Sequence, residues 1–238
     1  MRLLIFVVAY EAEQHIIGTI SRIPHDALSQ MDYHVLIIDD ASSDRTSDMV
    51  TSYLAEHPSY PMSSSKNSTN VGYGGNQKIG YNYAIQHDYD FVVMLHGDGQ
   101  YAPEYLPNMI QPFLDDTADM VLGSRMLDKR GALKGGMPIY KWLGNQVLTY
   151  IQNKLMKVSL AEWHTGYRAY SIDLLKSINF QANSDYFDFD TDIIIQCIQA
   201  KARIKEIDIP TFYGNEISYV NGLKYAYKII LKTLKSSS

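Results

Sequence analysis

Four apolar runs constrain this chain more than any other feature: RLLIFVVAY (2–10), HVLIIDD (34–40), FVVMLH (91–96) and MVLGSR (120–125). Each is rich in Val, Ile or Leu and lacks the strict alternation of a strand with one wet face. Such runs form strands covered on both faces, as in parallel sheets flanked by helices. The segments between them carry apolar residues at helical spacing. EAEQHIIGTISRI (11–23) places Ile16, Ile17, Ile20 and Ile23 before Pro24 stops it, and ASSDRTSDMVTSYLAEH (41–57) reads as a turn into a helix. GGNQKIGYNYAIQH (74–87) reads as a third helix, and another follows Pro103. The alternation predicts an α/β, Rossmann-like fold with a mostly parallel central sheet and helices on both faces.

In such sheets ligands bind beyond the C-terminal strand ends. Those ends are Ala9-Tyr10-Glu11, Asp39-Asp40, His96-Gly97-Asp98 and Ser124-Arg125, so one rim collects polar, mainly acidic groups.

The remainder is less regular. HPSYPMSSSKNSTN (57–70) is polar loop with room for a short strand, and LDKRGALKGGMP (127–138) is a basic, glycine-rich loop expected to be mobile. Helices are expected over 139–156 and 188–202, and strands over 166–171 and 204–210. With no repeat and no linker, one catalytic domain is expected over 1–215, followed by a basic amphipathic helix over 216–238. Lys224, Lys228, Lys232 and Lys235 fall on one helical stripe of that segment. The stripe suits either a solvated edge packed on the core or an anionic membrane surface.

Composition excludes several classes. Net charge is −5, which argues against nucleic acid as a partner. A single cysteine, Cys197, permits neither an intrachain disulfide nor a cysteine zinc site. No run of 18 or more apolar residues offers a membrane span. The first residues read as a strand rather than a signal peptide, because Glu11 and Glu13 follow at once. A cytoplasmic chain is expected, peripheral at the inner face of the membrane.

Three motifs carry chemistry. IDDASSDRT (38–46) ends a strand with two carboxylates. Ser42, Ser43 and Asp44 suit helix capping, whereas the Asp39-Asp40 pair exceeds what a cap needs and suggests ligand contact. NVGYGGNQK (70–78) is neither a dinucleotide fingerprint nor a P-loop, and its glycines suit close backbone packing. HGDGQYAPE (96–104) aims Asp98 and Gln100, hard oxygen donors, at the rim between Gly97 and Gly99. Arg125 and Arg168, each beside a glycine motif, suit either phosphate or a structural ion pair.

Together these motifs resemble inverting family 2 glycosyltransferases of the GT-A fold, nearest the dolichyl- or polyprenyl-phosphate sugar synthase branch. The likeness runs over roughly residues 3 to 212. VAYEAE, IDDASSD, NVGYGGNQKIG, HGDGQYAPE, GSR and TGYRAY are similar to the family's motifs in the same order. Four departures stand out: Glu11 for Asn, Ala12 for the first Glu of the opening motif, Tyr73 for a basic residue, and His96 for the first acidic metal position. The resemblance implies that Ala9, Tyr10, Glu11, Glu13, Asp39, Asp40, Asn70, Gly72, Lys78, His96 and Gly97 surround a nucleotide sugar. It implies that Asp98 and Gln100 hold Mg²⁺ or Mn²⁺, and that Arg125 and Arg168 face the acceptor phosphate or the diphosphate. His96 can coordinate the metal, hydrogen-bond the nucleotide, or do neither.

The expected activity is metal-dependent, inverting transfer of a hexose from a UDP- or GDP-sugar to a polyprenyl or dolichyl phosphate. One alternative is transfer to a sugar hydroxyl in polysaccharide or glycolipid synthesis, which needs a general base. Asp190 or Asp192 can supply one, while Asp188 suits the helix dipole. Another alternative is a non-catalytic nucleotide-sugar-binding protein. Expected partners are the donor, a lipid-phosphate acceptor, and a membrane protein or second copy of the chain.

Overall fold

The structure is a computed structural model that describes residues 1–212 and 222–236. The expected boundary at 215/216 lies outside the described residues. In chain order the elements are β1 (Arg2–Ala9), α1 (Ile16–Ile20), α2 (His25–Leu28), β2 (Asp32–Asp39), α3 (Thr46–Glu56), β3 (Met62–Lys66), α4 (Tyr73–Gln86) and β4 (Phe91–His96). There follow α5 (Leu106–Leu114), β5 (Met120–Ser124), α6 (Lys129–Lys134), α7 (Ile139–Met156), β6 (Arg168–Ser171), α8 (Ile172–Ser177), α9 (Phe189–Gln199), β7 (Ile204–Asp208) and α10 (Gly222–Ser236).

Seven strands form one sheet in the order β3-β2-β1-β4-β6-β5-β7. All neighbours are parallel except at β6, which runs antiparallel to both β4 and β5. The unbroken apolar runs are explained by two cores. Leu3, Ile5 and Val7 of β1 face one core with Ile16, Val50 and Phe113. Leu4, Phe6 and Val8 face the other with Tyr81, Phe189 and Ile193. A strand buried on both sides has no wet face to alternate toward.

Register sets the rim. Ala9 pairs with Asp39, Asp39 with Lys66, and Val8 with His96. The antiparallel β6 starts at this same end, where Arg168 pairs with Met94 and Leu122.

One expectation is corrected here and another is narrowed. The basic segment after β5 is not a loop throughout, because residues 129–134 form α6, capped by Asp128 accepting from the Arg130 N–H at 3.0 Å. Of the two settings expected for the lysine stripe of α10, packing on the protein is the one Lys228 and Lys232 take, while Lys224 and Lys235 stay exposed. α10 packs on α7 and α9. There Lys228 and Lys232 donate to Asp188 at 2.8 and 2.6 Å, and Lys232 also pairs with Asp192.

Candidate active site

The loops after β1 and β2 are laced together. Glu11 accepts from the Ser43 N–H at 2.9 Å, and Glu13 from the Arg45 N–H at 3.0 Å. In return Ser42, Thr46 and Asp44 accept from the backbone N–H groups of Glu11, Ala12 and Glu13. These bonds hold Glu11 at φ 48° and Ala41 at φ 61°. Left-handed backbone costs a residue with a Cβ roughly 1–2 kcal/mol, so the lacing must offset it. Ser42 and Ser43 thus tie two loops together rather than cap α3, whereas Asp44 does both, since it also accepts from the Thr46 N–H at the start of α3 at 2.9 Å.

Asp39 and Asp40 anchor the same region. Asp39 accepts from the Ser42 N–H at 2.9 Å and from the hydroxyls of Ser42 and Ser47, with Lys66 Nζ 3.7 Å away. Asp40 accepts from Asn67 Nδ2 at 2.8 Å and from the N–H groups of Val71 and Gly72, each at 2.9 Å. Asn70 shares the Gly72 N–H at 3.0 Å. The glycines then meet backbone closely: a Cβ on Gly74 would lie 2.4 Å from the Ser184 carbonyl oxygen. Tyr10 stands exposed beside these loops, and Ala9 lies buried beneath it.

The centre of the rim is a continuous polar chain. Asp98 is 40% exposed and accepts from the Gln100 N–H at 3.0 Å. Burial pushes its carboxyl up, but the His96 side chain and the Gln100 N–H outweigh this and hold it below its usual value. His96 Nδ1 faces Asp98 at 3.9 Å, and its Nε2 bonds the Tyr73 hydroxyl at 3.0 Å. Tyr73 also donates to Asp190 at 3.2 Å. Asp190 accepts from Gln77 Nε2 at 3.0 Å and lies 3.3 Å from Arg168. Tyr73 has one proton, and burial pushes its phenol well above the ordinary value, so it remains a donor. Asp190, paired with a guanidinium, is the stronger acceptor. The Tyr73 oxygen then accepts from His96 Nε2–H, and the Nδ1 edge of the same ring faces Asp98.

That arrangement fits a divalent cation in part. Among the described residues no group of three His, Cys, Asp or Glu side chains stands together. Asp98 and His96 Nδ1 stand 3.9 Å apart on one side, with Gln100 two residues on from Asp98, and a bond to Tyr73 fixes the imidazole, as metal-binding histidines require. Substrate oxygens would have to complete the shell.

Several expected site residues are placed elsewhere. Arg168 is fully buried. It donates to the carbonyls of Thr165, Asp190 and Trp163 at 2.7, 2.9 and 3.3 Å, so it is not open to a phosphate. Burial opposes its charge, but Asp190 beside it raises its pKa above the ordinary value. Arg125 pairs with buried Glu162 through its backbone N–H at 2.7 Å and Nε at 3.1 Å. For both arginines the structural ion pair is the role the geometry gives. Lys78 is held by the Asn183 carbonyl at 2.6 Å and Asp185 at 2.7 Å. Gly97 does not clear space for phosphate, since its missing Cβ points at Ile16, 2.8 Å away, whereas Gly99 is required by its φ of +78°. Asp192 accepts from the Ser184 N–H at 3.0 Å and from Lys232, which ties it to α10 and not to the rim.

Sequence reasoning missed Tyr73, Gln77 and Glu162 as members of these networks. A signal existed for Glu162, the only acidic residue between positions 129 and 172. A lone carboxylate in so long a stretch implies a dedicated partner.

A mostly parallel sheet with one antiparallel strand and an acidic rim of this form is the GT-A fold of glycosyltransferases. Glucosyl-3-phosphoglycerate synthase from Mycobacterium tuberculosis, solved with Mn²⁺, uridine diphosphate and phosphoglyceric acid, shares it with a TM-score of 0.69. That match covers 99% of this chain and 78% of that one at 14% identity, which speaks to the fold alone. The sequence match is more specific: the description Glycosyl transferase family 2 fits residues 4–178, and the chain belongs to that family. Undecaprenyl-phosphate mannosyltransferase of Micrococcus luteus is 30% identical over 91% of this chain and 86% of its own. Polyprenol monophosphomannose synthase of Mycolicibacterium smegmatis is 25% identical over 91% and 79%. The UDP-N-acetylglucosamine–dolichyl-phosphate N-acetylglucosaminyltransferase of Methanococcus voltae is 29% identical over 71% and 67%. The chain is a glycosyltransferase of the polyprenyl-phosphate sugar synthase-like branch. No helix among the described residues is long and apolar enough to cross a membrane.

Proposed function

We propose that this chain transfers a hexose from a nucleotide sugar, with inversion, to a polyprenyl or dolichyl phosphate. The observation that carries the reading is the state of Asp190. A hydroxyl acceptor needs a base, yet both Asp190 oxygens are already engaged, by Gln77 on one side and by Tyr73 and Arg168 on the other. A phosphate acceptor is anionic at neutral pH and attacks without one. The relatives named above, which act on lipid phosphates, support the same choice.

Ala9, Tyr10 and the loops held by Glu11, Glu13, Asp39, Asp40, Asn70 and Gly72 frame the nucleotide. Asp98, Gln100 and His96 face the donor diphosphate. Mg²⁺ or Mn²⁺ held there would neutralise the departing diphosphate. Asp190, paired with Arg168, orients Tyr73 and through it His96.

The test is a screen of UDP- and GDP-sugars against a polyprenyl phosphate with Mg²⁺ or Mn²⁺, reading transfer and not hydrolysis. Formation of a lipid-phosphate sugar of inverted anomeric configuration is expected. Transfer only to hydroxyl acceptors would replace this reading with polysaccharide or glycolipid synthesis. Donor binding without any turnover would make the chain a binding protein.

A further inference from the structure

α7 turns an apolar stripe to the outside. Ile139, Leu143, Val147 and Tyr150 follow one another at helical spacing on one face, and they are 68, 50, 56 and 63% exposed. The opposite face, turned to the protein, packs Trp142 and Met156 on the cores near its two ends and is polar between them, where Thr149 and Gln152 are the buried residues. Asn145 donates to Glu162 at 2.8 Å, Gln152 to Thr233 at 3.4 Å, and Asn153 to the Leu160 carbonyl at 2.8 Å. A soluble surface helix does the reverse and turns its apolar stripe to the core. The orientation is fixed by those bonds, since turning α7 to bury its stripe would break all three.

Charge is segregated to the same region. Residues 129–157, which include α6 and α7, hold six basic side chains and no acidic one, and residues 222–236 hold four and none. The rest of the chain carries 11 basic residues against 26 acidic. α6 and α10 both pack on α7, so these segments form one surface. Lys228 and Lys232 are engaged by Asp188 and Asp192. Lys154, by contrast, lies within the stripe, 5.7 Å over the Tyr150 ring, with its head group able to reach past the apolar atoms.

We infer that the exposed face of α7, flanked by the basic residues of α6 and α10, docks on an anionic lipid bilayer. Apolar and aromatic side chains interleaved with lysines match the boundary between acyl chains and acidic headgroups. A second copy of the chain is a poorer occupant, because it would bring two basic surfaces together. The inference rests on the reading of a lipid-borne acceptor. It adds the surface that brings the rim to that lipid, since Asn145 of α7 shares Glu162 with Arg125 beside the rim.

The experiment is flotation of the full chain with vesicles of phosphatidylglycerol and phosphatidylcholine, against phosphatidylcholine alone. The double variant Leu143→Ser/Val147→Ser changes only exposed side chains, and its folding is checked by circular dichroism. Wild type should float with the acidic vesicles, bind the neutral ones at least about tenfold less, and weaken with salt. The double variant should lose about tenfold or more on acidic vesicles. Its transfer to a water-soluble short-chain prenyl phosphate should match wild type. A variant that floats as wild type does would overturn the inference. So would a wild-type dimer that the variant converts to monomer, since the face would then belong to a second copy. If docking fails while short-chain transfer persists, the acceptor reading stands without it. If docking behaves as expected and no prenyl phosphate is glycosylated, the surface stands and the acceptor reading falls.

Discussion

Replacing Arg168 by methionine should unfold the protein more than it impairs any substrate contact. The guanidinium is fully buried, 3.3 Å from Asp190, and donates to three backbone carbonyls. At that separation two unit charges attract by about 5 kcal/mol at an effective dielectric constant of about 20. Desolvation of both groups offsets much of this in the intact pair, but a variant lacking only the arginine keeps the cost of the buried carboxylate. Breaking one side of such a pair typically costs about 3–5 kcal/mol, a large part of a total stability of roughly 5–15 kcal/mol. Trp163, buried and bonded to Arg168 through its carbonyl, provides a fluorescence signal for urea unfolding. The midpoint should fall by about 1–2 M urea. Arg168→Met/Asp190→Asn, which removes the stranded charge, should recover about half of the loss or more. A single variant with the wild-type midpoint and a raised acceptor KM would refute this account and return Arg168 to phosphate binding.

Asp98→Asn should leave the unfolding free energy within about 0.5 kcal/mol of wild type, because Asp98 is half-exposed, while calorimetry with Mn²⁺ and a nucleoside diphosphate should lose most of the metal-dependent heat; unchanged heat would remove Asp98 from the cation site. His96→Asp should lower the Mn²⁺/Mg²⁺ activity ratio, since nitrogen donors favour the transition metal, and a raised donor KM at constant ratio would instead place His96 on the nucleotide. Stability should decline as pH falls from about 6.5 to about 4, because burial pushes His164 down to about 4 and the unfolded chain therefore binds the extra proton in that range. The full effect is about 3 kcal/mol, and a His164→Gln variant with the same pH slope as wild type would show that another group is responsible.

Much of the fold was legible because its strands are covered on both faces, and only a parallel layered sheet explains such runs. β1, β2, β4 and β5 and the rim residues at their ends followed directly. β6 was harder. Four residues, Arg168–Ser171, say nothing about direction, and its antiparallel course is set by the return from α7 rather than by its own side chains. The helical pattern after β1 shrank to Ile16–Ile20 because the preceding residues are held by Ser42, Asp44 and Thr46 from another loop. That partnership is long-range and leaves no local trace. The acidic residues of the rim were read as ligands because their number exceeds what caps need. The structure gives several of them a second task, holding loops whose conformation the sequence alone does not specify.

The departures at positions 73 and 96 are one change rather than two. Read separately, Tyr73 for a basic residue and His96 for an acidic one each weaken the case for a working site. In the fold they touch, Tyr73 hydroxyl to His96 Nε2 at 3.0 Å. Where the family's motifs carry a basic and an acidic residue, this chain sets a phenol against an imidazole, so neither departure strands a charge. A phenol also does what an ammonium cannot: it donates to Asp190 while accepting from His96. The imidazole is thereby oriented with its other nitrogen toward Asp98. A decaying site would be expected to lose such pairings one member at a time. A site in which the second departure satisfies the hydrogen-bonding need created by the first is one that has kept a task for both.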